Sequence, residues 1–458
     1  MRVRIQNLGN VESGDIDISK KLTVFCGPNN TGKTYVSYII YSLIKAQYYF
    51  DDQINQDLSK LIADGEMVLS IDEGSLLKYR QRKMNIVSHS LESIFGISDK
   101  DKLSLFSKLE MHYGLSDKEF ISSVKKYSLD YTMEWAGLMV RVYKESGKMQ
   151  ISVKRTDKES SFTDDVYLFS MRFKVDLYNR LINYPFVQSS IFPVERNSIY
   201  TFNKELSIQR NELIEQIQAL KENRKIGYDS VDRLLGRSTR YPLAIRDCLS
   251  VANDLNNLKK RTSEYASFSE MLEQKLLGGK ISVTKEGEVE FVPKRGQRLP
   301  IHLSASIVKT LSSLTFYLKH LATRGDLIII DEPEMNLHPD AQVVLARVLA
   351  LLVNKGLNLL ISTHSDYIIR ELNNLITLGS IQDRAEVMAE LGYEEEEVLN
   401  ADNVSVYLFK PRKKNSKLST IIPVPVKEDG FSMETIDNVI FELNSNSDRI
   451  TYKLQYNE

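Results

Sequence analysis

The stretch Gly27-Pro-Asn-Asn-Thr-Gly-Lys-Thr34 matches the pattern G-x-x-x-x-G-K-[S/T] and decides the fold that we expect for this chain. In a loop of this composition, glycines let successive backbone N–H groups curl around phosphate oxygens. A lysine then meets the outer phosphates, and a hydroxyl group binds Mg²⁺. The sequence therefore predicts a nucleotide-phosphate loop, whose members are Gly27, Pro28, Asn29, Asn30, Thr31, Gly32, Lys33 and Thr34.

The residues on either side of the loop supply the context that a phosphate loop needs. Leu22–Cys26 is an unbroken, mostly apolar run, as expected for a strand that is buried on both faces. Helical periodicity begins near Gly32 and continues through Val36, Ile39 and Leu43. The N-terminus of such a helix favours an anion. A plain glycine turn is the alternative interpretation, and the order of strand, glycine loop and helix argues against it.

Two later strand ends carry the other polar groups that nucleotide hydrolysis requires. The apolar run 327–330 ends in Asp331 and Glu332. Asp331 is suited to hold the water shell of Mg²⁺, and Glu332 to orient an attacking water. His364 lies just beyond the apolar run 357–361, where active groups of α/β sheets are found. We expect His364 to contact the γ-phosphate; a purely structural histidine is the alternative.

Composition restricts the class of protein. The 458 residues include 60 Lys and Arg against 61 Asp and Glu, which argues against a globally basic nucleic-acid binder. Cys26 and Cys248 are the only cysteines, too few for a disulfide framework. The sequence has neither a signal-peptide core nor an apolar run of about 20 residues. It therefore predicts a soluble, cytoplasmic protein that is not attached to a membrane.

The pattern of the chain changes along its length and divides it into four parts. Residues 1–47 hold the phosphate loop, and residues 48–295 are expected to form a mainly helical insertion with strands near 138–143 and 148–153. Residues 296–400 return to alternating strands and helices. Residues 401–458 are expected to form a small C-terminal α/β extension.

The insertion and the C-terminal part contain further patterns. Leu206, Leu213 and Leu220 repeat every seven residues, and residues 252–258 give a second helical stripe. These stripes predict two packed amphipathic helices or a short coiled-coil hairpin. The acidic run 394–397 is expected to be a solvated loop. Two basic stretches keep local contact with nucleic acid possible, namely Lys78, Arg80, Arg82 and Lys83, and Lys410, Arg412, Lys413, Lys414 and Lys417.

Together the motifs resemble those of the ABC-type ATPase heads of the RecF, SMC and OLD group. Asp331-Glu-Pro-Glu-Met-Asn-Leu-His-Pro339 resembles the extended Walker B segment and D-loop of that group, and Ser362-Thr-His-Ser365 resembles its switch-histidine segment. The resemblance covers residues 1–45 and 295–380 well and the middle only weakly. It implies an α/β fold, an ABC-type P-loop NTPase head with a mixed sheet and flanking helices, interrupted by a large insertion. It also implies that ATP and Mg²⁺ are bound.

Heads of this group work as sandwich dimers, in which each ATP lies between the phosphate loop of one subunit and the signature motif of the other. Leu303-Ser-Ala-Ser-Ile307 is the signature candidate, with Ser304 expected to contact the nucleotide of the partner. Ser306 stands where the group usually has glycine. An N-cap role for Ser304 in the helix predicted at 305–321 is the alternative.

Within the group, the chain is most similar to the stand-alone ATPase subunits of bacterial anti-phage defence systems such as the PARIS or Septu type. Phe192-Pro-Val-Glu-Arg-Asn197 resembles a segment of such ATPases, and Arg196 is expected to meet a phosphate, the dimer interface or a structural acid. The resemblance implies an ATP-controlled sensor that forms at least a dimer and acts through a separately encoded effector. No Toprim-type acidic motif follows His364, so any nuclease activity would belong to that effector. A DNA-repair or DNA-end-binding ATPase is the alternative.

Overall fold

A computed structural model describes residues 1–47, 61, 64–97, 104–135, 138–156, 166–202, 241–413 and 416–456. The strands are β1 (Arg2–Leu8), β2 (Val11–Asp17), β3 (Leu22–Cys26), β4 (Glu66–Ser70), β5 (Glu110–Tyr113), β6 (Leu129–Trp135), β7 (Leu138–Lys144), β8 (Gln150–Arg155), β9 (Ser189–Phe192), β10 (Gly279–Val283), β11 (Val289–Pro293), β12 (Leu299–Pro300), β13 (Leu327–Asp331), β14 (Asn358–Thr363), β15 (Val404–Pro411) and β16 (Ser419–Val424). The helices are α1 (Lys33–Lys45), α2 (Glu73–His89), α3 (Leu91–Phe95), α4 (Asp117–Lys126), α5 (Val166–Asn183), α6 (Leu243–Asn253), α7 (Leu255–Leu258), α8 (Ala266–Leu272), α9 (Ser306–His320), α10 (Pro339–Asn354), α11 (Asp366–Ser380), α12 (Ala385–Leu391) and α13 (Glu434–Tyr456).

Within the described residues, the largest sheet has nine strands in the order β5-β1-β2-β16-β15-β3-β14-β13-β9. From β15 to β9 neighbouring strands are parallel, whereas β1 pairs antiparallel with β2 and β5. Every residue of β3, β13 and β14 is buried. Leu22 and Val24 contribute to one hydrophobic core and Phe25 to another, as expected when both faces of a sheet are covered. The predicted mixed α/β sheet and its central strands are therefore confirmed.

The C-terminal strands belong to this large sheet and do not form a separate extension. β15 pairs parallel with β3, so that Val406 lies opposite Val24. β16 pairs with β15 on one side and with β2 on the other. The chain therefore returns to insert two late strands between two early ones. The division expected at residue 401 does not coincide with a structural boundary, because a strand pattern does not reveal which strands are its neighbours.

The region 48–295 contains more strand than its predicted helical character implied. β5 and β9 occupy the two edges of the large sheet. β4, β8, β7 and β6 form an antiparallel sheet, and its core includes Val140 together with Tyr79 of α2 and Phe169 of α5. β10 and β11 form a third sheet together with β12, which lies just beyond this region and precedes α9. The strands predicted near 138–143 and 148–153 are confirmed as β7 and β8.

The basic stretch at 78–83 is not the surface patch that its sequence suggested. It lies on α2, where Arg80 is 5% exposed and Lys83 is 0% exposed. The Lys83 Nζ donates to the Asn179 Oδ1 of α5 (2.7 Å) and to the Ile44 carbonyl oxygen of α1 (3.1 Å). Burial lowers the pKa of Lys83 to about 7. The Lys83 side chain therefore joins helices inside the protein. Arg80 and Lys83, two of the four cations in this stretch, are too buried to contact nucleic acid.

The remaining patterns had different outcomes. The leucine heptad at 206–220 lies outside the described residues. The stripe at 252–258 is divided, because α6 ends at Asn253 and α7 begins at Leu255. The acidic run forms a short turn in which Glu397 is 2% exposed, so the prediction of a solvated loop was wrong there. Among the described residues, no helix is both long and apolar enough to span a bilayer.

Candidate functional site

The phosphate loop lies between β3 and α1, and its backbone requires glycine at two positions. Gly27 has φ 135° and Gly32 has φ 92°, a region that side chains disfavour. A Cβ at Gly27 would lie 2.4 Å from the Phe409 carbonyl oxygen, and one at Gly32 would lie 2.4 Å from Val11 Cγ2. The first turn of α1 contains no acidic residue. The N-terminus of α1 is therefore suited to an anion.

Residues from distant parts of the chain hold the loop in shape. Thr31 Oγ1 donates to the Pro28 carbonyl oxygen (2.8 Å), and Ser419 Oγ donates to the Thr31 carbonyl oxygen (2.6 Å). Asn10 Nδ2, in the turn between β1 and β2, donates to the Asn30 carbonyl oxygen (3.1 Å). Sequence reasoning missed Asn10 and Ser419, because nothing in the local pattern shows that β2 and β16 lie beside the loop. Of the loop residues, 28–30 are exposed.

Lys33 places a cation within the loop. Its side chain is 7% exposed, and its Nζ donates to the carbonyl oxygens of Gly27 (2.8 Å) and Pro28 (2.9 Å). Burial lowers the pKa of Lys33, while the charges of Asp331 and Glu332 oppose that shift. The three predicted charged groups of the site therefore act on one another.

The two predicted magnesium ligands lie together. Thr34 Oγ1 donates to Asp331 Oδ2 at 2.7 Å, although 297 residues separate them in sequence. Ser362 Oγ, in β14, donates to the other carboxylate oxygen of Asp331. A hydroxyl and a carboxylate are the hard oxygen ligands that Mg²⁺ prefers. The residues present therefore fit the cation that the resemblance implied.

Glu332 follows β13 in a strained conformation. Its φ of 48° is uncommon for a residue with a side chain. Its backbone N–H donates to the Ser362 carbonyl oxygen (3.0 Å), and its carbonyl oxygen accepts from Arg196 Nη2 (2.6 Å). Strain of this kind clusters at functional sites and persists only where the surroundings hold it. The backbone contacts of Glu332 provide such a hold.

Arg196 has a role that the sequence did not distinguish. Besides its bond to Glu332, its Nη1 donates to the carbonyl oxygens of Asp331 (2.6 Å) and Pro193 (3.0 Å). The side chain is 2% exposed, so it is buried within the subunit. Burial lowers the pKa of Arg196 to about 10, so the guanidinium remains charged at neutral pH. The prediction of a structural ion pair was wrong in detail, because Arg196 binds the backbone at the end of β13.

His364 lies beside two carboxylates. Its Nδ1 is 3.5 Å from Glu334 Oε1 and 3.8 Å from Glu332 Oε1, and its side chain is 46% exposed. Glu334 is 7% exposed, and its Oε1 accepts from Thr363 Oγ1 (2.8 Å) and from the His364 backbone N–H (2.9 Å). Burial raises the pKa of Glu334. Sequence reasoning missed Glu334, and its place two residues after Glu332 was the available signal.

The pairing of β13 with β14 explains why these groups meet. The strands are parallel, and Asp331 lies opposite Ser362 in their register. Side chains that follow parallel strands gather at one edge of the sheet. Ser362 Oγ donates to Asp331, the last residue of β13. Thr363 Oγ1 donates to Glu334, which follows β13. The two strand ends therefore form one hydrogen-bonded network beside the phosphate loop.

The signature candidate lies at the start of α9. Ser304 is 6% exposed, and its Oγ donates to the Pro300 carbonyl oxygen (3.3 Å). The N-cap residue is Ala305, without a side-chain hydrogen bond, so the N-cap alternative for Ser304 was wrong. Leu303 and Ser306 are exposed at this helix terminus. The contact of Ser304 with the nucleotide of a partner stays a prediction, and Ser306 is the more accessible serine.

The fold and the site define a P-loop nucleotide-binding protein of α/β architecture. Residues 1–369 match the model of the AAA ATPase domain family, and the chain belongs to that family. No curated protein matches the chain.

Heads of SMC proteins are among the solved structures that the chain matches. The Smc head domain derived from Pyrococcus furiosus, with an extended coiled coil and bound to the C-terminal domain of ScpA, is 12% identical to this chain. The match covers 97% of this chain and 98% of that one, with a TM-score of 0.37. The SMC head domain from Thermotoga maritima is 10% identical, with coverage of 92% and 98% and a TM-score of 0.31.

Proposed function

We propose that this protein binds and hydrolyses ATP and uses the difference between its nucleotide states as a switch. The observation that supports this best is the meeting of Lys33, Thr34, Asp331, Glu332 and His364 at the carboxyl edge of the parallel strands. These residues come from three distant segments and combine a cation, a hydroxyl, two acids and an imidazole. Membership of the AAA ATPase domain family agrees with this proposal.

Each side chain has a role that its surroundings support. Lys33 and the N–H groups of the loop bind the phosphates. Thr34 and Asp331 would hold Mg²⁺, and a bound Mg²⁺ would neutralise the charge that develops on the outer phosphates. Glu332, with its backbone held by Arg196, orients the attacking water and can accept its proton. We expect His364, beside the buried Glu334, to donate to the γ-phosphate.

We also propose that two copies complete each site. The N-terminus of α9 presents the exposed Leu303, Ala305 and Ser306, and its first turn contains no acidic residue. Such a terminus offers backbone N–H groups to an anion. The γ-phosphate bound by the loop of one copy supplies that anion to the other. Binding of this kind favours the closed state over the open one, which is what a switch requires.

The biological role that we favour is a sensor in bacterial anti-phage defence with a separately encoded effector. The resemblance of the motifs to those of stand-alone defence ATPases supports it. The DNA-repair alternative depends on basic surfaces, and Arg80 and Lys83 are buried. In the second basic group, Arg412 pairs with Glu12 (2.9 Å). Tight, ATP-dependent duplex binding at physiological salt, lost on neutralising Arg412 and Lys413, would favour the repair role instead.

Mixing two inactive variants tests whether the site is shared. Lys33→Ala removes the cation of the loop, and Ser306→Arg places bulk and charge at the exposed terminus of α9. Each variant should be inactive alone, whereas a mixed dimer joins one intact loop to one intact α9 terminus. Hydrolysis should therefore return at one of its two sites. Ser306 is the better position than Ser304, because arginine at the buried Ser304 would disturb folding.

Sedimentation with ATP shows whether mixed dimers form. Ser380→Arg is the matched control, because Ser380 is an exposed serine at the far end of a different helix, α11. That variant should keep the activity of the wild type. Mixed dimers without any recovery of hydrolysis would show that the site is not shared, and would leave ATP binding by the single subunit unaffected.

Replacing Arg196 by lysine should lower the turnover of ATP by about 10-fold, with little change in ATP affinity. Lysine keeps the charge but lacks the fork that binds the carbonyl oxygens of Asp331 and Glu332 together. Steady-state hydrolysis and calorimetry measure the two effects separately. Arg412→Lys is the control, because Arg412 is 59% exposed. Equal turnover in both variants would show that Arg196 does not position Glu332.

A further inference from the structure

The last helix, α13, carries apolar side chains that its own chain leaves exposed. It has 23 residues, and residues 437–455 are exposed except for Ile440 and Ser445, which are half-buried. Leu443 is 62% exposed, Ile450 71% and Leu454 83%. Apolar residues that recur along one helix in this way normally meet another surface.

The spacing of these residues is that of a coiled coil. Ile440, Leu443, Ser447, Ile450 and Leu454 follow one another at intervals of three and four residues, which is the a and d pattern of a heptad repeat. We call these five residues the seam. Ser447 is the single polar residue of the seam. The surface that fits this seam is a second helix with the same repeat.

A second copy of the chain meets that requirement. Ile at a with Leu at d, as at positions 440 and 443, favours two parallel strands, whereas Ile450 at d with Leu454 at a favours three or four, so the a and d residues do not by themselves set the number of helices. The e and g positions beside the seam are Val439, Asn444, Asn446, Thr451 and Lys453. Partner choice in coiled coils is set by charges at e and g, and only Lys453, at the end of the seam, carries one. Along the first four of these positions, two identical helices therefore meet without repulsion between like charges.

The size of the seam decides when the helices pair. Burying one Leu or Ile side chain removes about 60–120 Å² from water, so the four apolar seam residues supply about 250–500 Å² per helix. A stable interface needs about 800 Å² per partner. The seam alone is therefore too small to hold two copies together. It can pair when a second contact already joins them.

The base of α13 is attached to the helix that follows the switch histidine. Phe431 and Met433 are buried just before α13. Asn373 of α11 donates to the Phe431 carbonyl oxygen (2.8 Å) and accepts from its backbone N–H (3.0 Å). α11 begins at Asp366, two residues after His364. A change at the nucleotide site therefore has a short structural path to the base of α13.

We infer that the seams of two copies pair as a short coiled coil when ATP joins the heads. This inference rests on the proposed ATP-dependent dimer and adds to it a second contact surface. It assigns α13 to self-association and not to the effector.

Cysteine cross-linking tests the pairing in the full chain. Ile450→Cys is introduced into the Glu332→Gln protein, which is expected to keep its ATP. With ATP and a mild oxidant, most of the protein should shift to a disulfide-linked dimer, and without ATP it should not. An antiparallel pair would instead link Ile440→Cys chains with Ile450→Cys chains, and this mixture is measured in parallel. Phe441→Cys is the matched control, because residue 441 is 77% exposed but lies off the seam.

Sedimentation of the same samples separates the possible failures. If dimers form with ATP but neither seam position cross-links, the pairing is overturned and the proposed function still stands. An effector or another part of this chain would then cover the seam. If the samples show no dimers and no cross-links with ATP, both the pairing of the seams and the proposed ATP-dependent dimer are overturned. Equal cross-linking through Phe441→Cys would also overturn the inference, because it would show collision of exposed helices without a seam.

Discussion

Replacing Glu332 by glutamine should lower ATP hydrolysis by about 10²-fold or more, the range expected when a general base is lost, and should leave ATP binding intact. Glutamine has the same shape but cannot accept a proton. The backbone of residue 332 is held by its contacts with Ser362 and Arg196, which do not involve its side chain. The substitution therefore changes the chemistry of the site and preserves its geometry. Steady-state phosphate release and calorimetry with Mg²⁺ and ATP measure the two properties.

The closed state should accumulate in this variant, because ATP is bound but not consumed. Sedimentation with ATP should show a larger dimer fraction for Glu332→Gln than for the wild type. Glu395→Gln is the matched control, since Glu395 is an exposed acid that pairs with Arg384. It should behave like the wild type in both measurements. Normal turnover by Glu332→Gln would remove Glu332 from the catalytic role and point to Glu334 as the next acid to test.

The central strands could be predicted because their burial is visible in single segments. β3, β13 and β14 are buried on both faces, and such strands appear in sequence as short, nearly unbroken apolar runs. The phosphate loop is recognisable because its glycines and Lys33 meet requirements that few other residues can satisfy. The positions of Asp331 and His364 beside the loop could be predicted because groups at the ends of parallel strands gather at one edge of the sheet.

The neighbours of the site could not be predicted, because they depend on contacts between distant segments. Ser419 bonds to the loop at Thr31 across 388 residues, and nothing in the pattern of β16 indicates that it lies beside β2. Arg196 is similar: the sequence suggests a cation near the site but not that its partners are backbone carbonyl oxygens. The burial of Arg80 and Lys83 was also hidden, because a basic run on a helix has the same sequence whether its faces are exposed or packed.

The position of Ser304 shows a further limit of motif reasoning. The pattern placed a serine before a helix, and the structure contains that helix, α9. The hydroxyl of Ser304, however, faces the Pro300 carbonyl oxygen, and the exposed serine is Ser306. Which of two serines faces outward depends on the backbone just before the helix, which residue types alone do not determine.

Replacing Lys33 by alanine should weaken ATP binding by about 10²–10⁴-fold, because two charge-assisted hydrogen bonds to phosphate are each worth about 1.5–3 kcal/mol. The remaining polar groups of the loop are backbone N–H groups, hydroxyls and the side-chain amides of Asn29 and Asn30, and none of them supplies a full positive charge. Arg196 cannot substitute, since its guanidinium is 2% exposed and bound to the backbone of Pro193, Asp331 and Glu332. Calorimetry with Mg²⁺ and ATP measures the affinity directly.

Lys45→Ala is the matched control for that experiment, because Lys45 ends the same helix and pairs with Asp247 at 3.2 Å. It makes the same substitution at the opposite end of α1, so any general effect of shortening a lysine on this helix should appear in both variants. Only Lys33→Ala should lose ATP. Equal affinities in Lys33→Ala and the wild type would show that the loop does not bind phosphate, and the proposed function would fail with it. Loss of affinity in both variants would instead indicate that α1 needs its lysines for folding, which circular dichroism would reveal as a change in helix content.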